Sequence, residues 1–163
     1  MTTLTQTDLV HGFHTLGLSA RDTVFVHSSL SAFGHVEGGA ETVVRSLLHV
    51  LGPDGTLSVP IFNRYFAEGP NQVWDRHQTP SLMGRITETV RTWPGAYRSA
   101  HAVHPVAAVG ALAQDIADRD HETDFDEHST FQRLFDHDAW ILLIGVTYQN
   151  CTHIHVAEER LEV

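Results

Sequence analysis

Thr23-Val24-Phe25-Val26, then a stripe of Val43, Val44, Leu47, Leu48 and Leu51, then Thr56-Leu57-Ser58-Val59-Pro60-Ile61-Phe62 is the stretch that decides the fold. A short run rich in β-branched residues reads as a buried strand, and apolar residues three and four apart make one face of a helix. Gly52-Pro53 stops that helix, and Asp54-Gly55 turns the chain into the second strand. Residues 23 to 62 therefore form a strand, helix, strand crossover, a unit that is right-handed and parallel in nearly all compact domains.

Outward from this unit, Leu9, Val10, Phe13 and Leu16 mark a helix over 7–17 that Gly17 ends. Thr79-Pro80 is a good N-cap and N1 pair, opening a helix with Leu82, Met83, Ile86, Val90 and Trp93 on one face, which Pro94-Gly95 ends. A short strand over 105–109, a short helix over 110–118, a helical turn around Phe131, Leu134 and Phe135, and a strand over 140–146 follow. Thr152 is placed to cap a last helix that is still running at Val163. Residues 63–78 lack a period and carry Arg64, Tyr65, Trp74, Asp75, Arg76 and His77, so they read as a long functional loop. No repeat or linker divides the chain. The expectation over 1–163 is a single α/β domain with a mostly parallel sheet flanked by helices.

Composition narrows the function classes. The chain has 163 residues, 42% of them hydrophobic, and no run approaches the roughly 20 apolar residues that span a bilayer. The N-terminus lacks the charged and apolar regions of a signal peptide, so a soluble, cytoplasmic protein without membrane contact is expected. All ten basic residues are arginines, which removes Schiff-base lysine chemistry and a Walker-type lysine. The net charge of -10 argues against nucleic acid and suits a cationic substrate, although solubility alone would also account for it. The single cysteine, Cys151, excludes an intramolecular disulfide and a four-cysteine zinc site.

The chemistry concentrates in Asn150-Cys151-Thr152-His153-Ile154-His155-Val156-Ala157-Glu158, directly after the 140–146 strand, where α/β enzymes build active sites. On a helix Cys151 and His155 share a face and His153 points away, whereas a strand would align His153 with His155 as a metal pair. No third ligand stands at matching spacing. Cys151 is a possible covalent nucleophile or a buried inert thiol, and each histidine a base or a satisfied polar residue. The loop from His27 to Gly39 offers backbone donors at a helix start and could cradle a phosphate or pantetheine amide, yet it matches neither G-x-G-x-x-G nor a Walker sequence.

Several blocks occur in an order that resembles the aminoglycoside 3-N-acetyltransferase family. They are Val26-His27-Ser28-Ser29-Leu30, Gly34 with Val36 to Gly39, Gly52 to Leu57 with Pro60, Thr79-Pro80-Ser81 with Met83-Gly84, Arg98-Ser99 with His101, Val106-Ala107-Ala108 with Gly110, Leu143 to Val146, and Thr152 with His155 and Ala157-Glu158. The resemblance runs from about residue 20 to the end. It implies direct acetyl transfer from acetyl-CoA, as co-substrate and without a metal, to the 3-amino group of an aminoglycoside antibiotic or a related amine. It also places the family's histidine at His155 as general base and its acidic partner at Glu127, and lays the CoA path along Ser28, Ser29, Ser31, Gly34, Val36 and Thr152. Ala102 and Pro105 stand where the family has proline and serine, and His128 and Thr130 where it has glycine and proline.

Family members continue past the histidine helix, so the chain is expected to lack their C-terminal portion and to self-associate as a homo-oligomer through the 140–146 strand and 153–163 helix. Two other readings stay open: a non-catalytic CoA-binding or oligomerising remnant, and a metal-dependent hydrolase using His153, His155 and Glu158.

Overall fold

A computed structural model of the chain describes residues 2–63, 74–117 and 124–161. The crossover forms as its pattern dictates. Strand β2 (Thr23–Ser28) pairs in parallel with β4 (Thr56–Pro60), in the register Val24 opposite Leu57, and helix α2 (Gly39–Leu51) connects them. Val43, Val44, Leu47 and Leu51 are fully buried, each contributing about 1.5–3 kcal/mol relative to exposure. A two-stranded parallel ribbon of β1 (Thr3–Leu4) and β3 (His35–Val36) lies outside the main sheet. Helix α1 (Gln6–Thr15) starts with a capping box, in which Thr5 accepts from the Asp8 amide and Asp8 accepts in return from the Thr5 amide.

Downstream elements are α3 (Arg85–Arg91), β5 (Tyr97–Arg98), β6 (Val106–Gly110), α4 (Ala113–Ala117), α5 (Thr130–Asp136), β7 (Trp140–Ile144) and α6 (Ile154–Leu161). The five-stranded sheet has the order β5-β6-β4-β2-β7. β7 and β4 flank β2 in parallel, while β6 runs antiparallel to both β4 and β5. The sheet is thus mixed, with β6 alone opposing the rest. The chain enters β6 through a hairpin from β5, and a hairpin reverses direction where a helical crossover would not.

Alternation along β2 divides the core. Val24 and Val26 join the cluster under α1, α2 and α3, and Phe25 joins the one under α4, α5 and α6. α3 starts later than the Thr79-Pro80 signal predicts. Gly84 has φ +124°, outside helical space, while Thr79 Oγ1 instead accepts from the Asp75 amide. The last helix likewise begins at Ile154, after a 3₁₀ turn at Tyr148–Asn150. Most of the expected functional loop, 64–73, lies outside the described residues. No helix among the described residues is long and apolar enough to cross a membrane.

Candidate active site

The carboxyl ends of β2, β4 and β7 open onto a cleft of about 950 Å³. His27 and Ser28 bring the end of β2 to it, Pro60 and Phe62 the end of β4, and Val146 the turn after β7. The loop after β2 is locked to β7 by Ser29 N–H donating to Ile144 O (2.9 Å). Gly145, at φ +66°, lets the two segments touch, because a Cβ there would lie 2.0 Å from that of Ala32.

α6 carries His155 into the cleft. Its Nδ1 lies 2.5 Å from Oε2 of Glu158, one helical turn later, with both side chains about half exposed. An ionised Glu158 holds the proton on Nδ1 and leaves the Nε2 lone pair able to accept one. The imidazole stands 5.2 Å from the Phe125 ring, which contacts Phe131 (5.1 Å) and His104 (5.6 Å). Rigid aromatic packing thus sets the wall facing the helix.

Beneath the cleft, His27 is 5% exposed, edge-on to Phe25, with Nε2 buried and without a hydrogen-bond partner among the described residues. Burial, and secondarily the nearby His153, push its pKa down to about 4, so it is neutral near pH 7. Ser28 Oγ is also buried without a partner among the described residues. Leaving such groups unsatisfied costs about 1–3 kcal/mol each, a cost that a bound ligand would offset. His153 has its pKa lowered by burial first and Arg160 second, and its ring lies 6.2 Å from Phe131.

Thr152, Cys151 and Ser28 line the cleft with His155. Ser29 and Ser31 bond each other through their hydroxyls (3.0 Å). Gly34, at φ +72°, ends the 3₁₀ turn of Leu30–Phe33, and Val36 turns its side chain into the core. Glu127 is 85% exposed, 3.5 Å from His128 Nε2, in a neighbouring depression that shares Phe125 and Glu159 with the cleft. The structure does not bring Glu127 to His155; the carboxylate on that imidazole is Glu158. His153, His155 and Glu158 do not converge as a metal set. Among the described residues, the one group of three close enough to share an ion is His101, His104 and Asp124.

Sequence reasoning missed His27 and Phe125, whose positions depend on β2 burial and on long-range packing. Glu158 as the partner of His155 had a readable signal in the i, i+3 spacing on a helix.

These features define an α/β domain whose cleft, at the strand carboxyl ends, presents a carboxylate-held imidazole suited to proton transfer. More particularly, the chain belongs to the aminoglycoside 3-N-acetyltransferase family, whose model matches residues 25–163. It is 31% identical to aminoglycoside N(3)-acetyltransferase IX of Micromonospora chalcea, over 98% of this chain and 63% of that protein. It is 34% identical to aminoglycoside N(3)-acetyltransferase VIII of Streptomyces fradiae, over 98% of this chain and 62% of that protein. The chain thus spans about three-fifths of the length of these relatives. Among solved structures, AAC-VIa bound to sisomicin superposes with a TM-score of 0.87 at 28% identity, covering 96% of this chain and 65% of that one. The binary AAC-IIIb complex with CoASH gives 0.85 at 25% identity, covering 97% and 65%.

Proposed function

We propose that this chain transfers the acetyl group of acetyl-CoA to an amine of an aminoglycoside or related amino sugar, with His155 as general base. The observation that carries the reading is the 2.5 Å contact between His155 Nδ1 and Glu158, which leaves Nε2 as the proton acceptor at the cleft. In the reaction, the amine nitrogen attacks the thioester carbonyl carbon while Nε2 takes its proton. The C–S bond then breaks, and the imidazolium returns the proton to the departing CoA thiolate. Glu158 keeps the imidazole in one tautomer and stabilises its charged form.

The site fits both substrates chemically. Ser28 Oγ and His27 Nε2 are buried polar atoms at the cleft with no partner among the described residues, which supports a role in meeting a ligand's polar groups. Glu158 and Glu159 line the same cleft, and no arginine does among the described residues, which favours a cationic acceptor. The relatives solved with CoASH and with sisomicin support the same pair of ligands.

The family resemblance assigns the orienting carboxylate to Glu127 instead, and the depression holding it adjoins the cleft through Phe125 and Glu159. Glu158 is the better candidate because it already touches the imidazole. Free thiol release from acetyl-CoA, measured against aminoglycosides and simple amines, tests the function. Acceptor-dependent release that is lost in His155→Ala is expected. A folded wild-type chain that releases no thiol with any acceptor would refute it.

A further inference from the structure

We propose that His101, His104 and Asp124 form a binding site for a divalent transition ion of the Zn²⁺ type, which clips together two segments of the cleft wall. His101 and His104 sit in the loop between β5 and β6, a hairpin tied at its base by Ser99 N–H to Val106 O (2.9 Å) and by Val106 N–H to Ser99 Oγ (2.9 Å). Asp124 comes from a segment 20 residues further on and places Oδ1 3.1 Å from His101 Nδ1 and 2.9 Å from His104 Nδ1. Ligand atoms about 2.0–2.1 Å from a tetrahedral zinc ion stand roughly 3.4 Å apart, so little movement is needed to admit one.

Hydrogen bonding among the described residues satisfies His101 Nδ1 but leaves the facing atoms of His104 and Asp124 unpartnered. His101 Nδ1 accepts the backbone N–H groups of Val103 (3.3 Å) and His104 (3.1 Å), so it carries no proton to offer Asp124. His104 Nδ1 and Asp124 Oδ1 lie at hydrogen-bond distance, but their angles do not make a bond, and both atoms are shielded from water. Two imidazole nitrogens and a carboxylate oxygen thus converge with the nearly parallel rings 11° apart. The lone pairs of His104 Nδ1 and Asp124 Oδ1, 2.9 Å apart in a shielded position, repel unless a proton or a cation sits between them. Two imidazoles and a carboxylate make a donor set suited to Zn²⁺, and at longer contact the two amide donors of His101 give way to the ion. The H-x-x-H spacing of the histidines is visible in the chain, but the third ligand is supplied only by the fold.

The consequence for the cleft is mechanical. His104 lines it and packs edge-on against Phe62 (4.8 Å), and Asp124 immediately precedes Phe125, the ring that meets His155. An ion here fixes the start of the 124–128 segment against the hairpin loop and so positions the wall, without touching the reacting atoms.

The test is titration of metal-stripped, tag-free protein with Zn²⁺ alone by calorimetry, with Co²⁺ absorption reporting ligand type. Wild-type protein should bind one ion per chain, and Asp124→Asn and His104→Ala should each weaken that site at least tenfold. His153→Ala should bind as wild type. Asp124→Asn is isosteric and retains folding even if His104→Ala does not. Absence of stoichiometric binding to wild type would overturn the proposal. So would binding that survives both variants, or that disappears in His153→Ala.

Discussion

Replacing Gly145 by alanine probes the junction on which the cleft floor rests. The new Cβ would lie 2.0 Å from Ala32 Cβ and 3.5 Å from Ser29 O, at a backbone φ of +66°. Left-handed backbone costs a non-glycine residue about 1–2 kcal/mol, and forced overpacking typically adds about 1–3 kcal/mol. The sum of about 2–5 kcal/mol corresponds to a melting temperature lowered by roughly 4–20 °C for a chain of this size. Gly39→Ala is the control. Its φ of +61° is close to that of Gly145, but nothing among the described residues lies within 4 Å of the added carbon, so only the backbone cost of about 1–2 kcal/mol applies. Urea denaturation of the two variants beside wild type separates the terms. Gly145→Ala no less stable than Gly39→Ala would show that the loop after β2 is not pressed against β7 as described.

Because the unfolded chain protonates His27 near the ordinary histidine value and the folded chain only at about 4, stability should fall as pH drops from 7 toward 4, by at most about 3 kcal/mol from this residue. His153 adds in the same direction, so His27→Gln should flatten the profile of urea midpoints in part, and an unchanged profile would contradict the burial assigned to His27. Phe131→Ala removes a fully buried ring that packs on Phe25 (5.7 Å) and Phe125 (5.1 Å), and should cost about 3–5 kcal/mol in chemical denaturation. A loss under 1 kcal/mol would mean that this cluster does not form.

The parts of the fold legible in the sequence were those whose signal is local. The run Val24-Phe25-Val26 and the stripe of α2 each report their own burial through periodicity, and their connection length fixed the parallel crossover. The start of α3 was misplaced because the Thr79-Pro80 cap signal outweighed Gly84, whose positive φ sets the true boundary. β5 has two residues and is defined only by its register against Ala107 and Ala108, which no local pattern encodes. At the candidate site, the polar surroundings after a strand and the family resemblance both point to His155. The resemblance names Glu127 as its partner, and the carboxylate that the helix puts at hydrogen-bond distance is Glu158. His27 received no role because the apolar run ends at Val26 and puts it in the following loop, whereas β2 continues to Ser28 and buries it.

The proposed chemistry turns on the pairing of His155 with Glu158, and a double-mutant cycle on acetyl transfer tests it most directly. His155→Ala should lower turnover by about 10²–10⁴, Glu158→Gln should lower it by a smaller factor, and the double variant should be little worse than His155→Ala alone, because the two act as a unit. Glu127→Gln, run in parallel, should stay close to wild type. Fully multiplicative losses for His155 and Glu158, or a Glu127→Gln variant as impaired as His155→Ala beside an unaffected Glu158→Gln, would contradict the pairing.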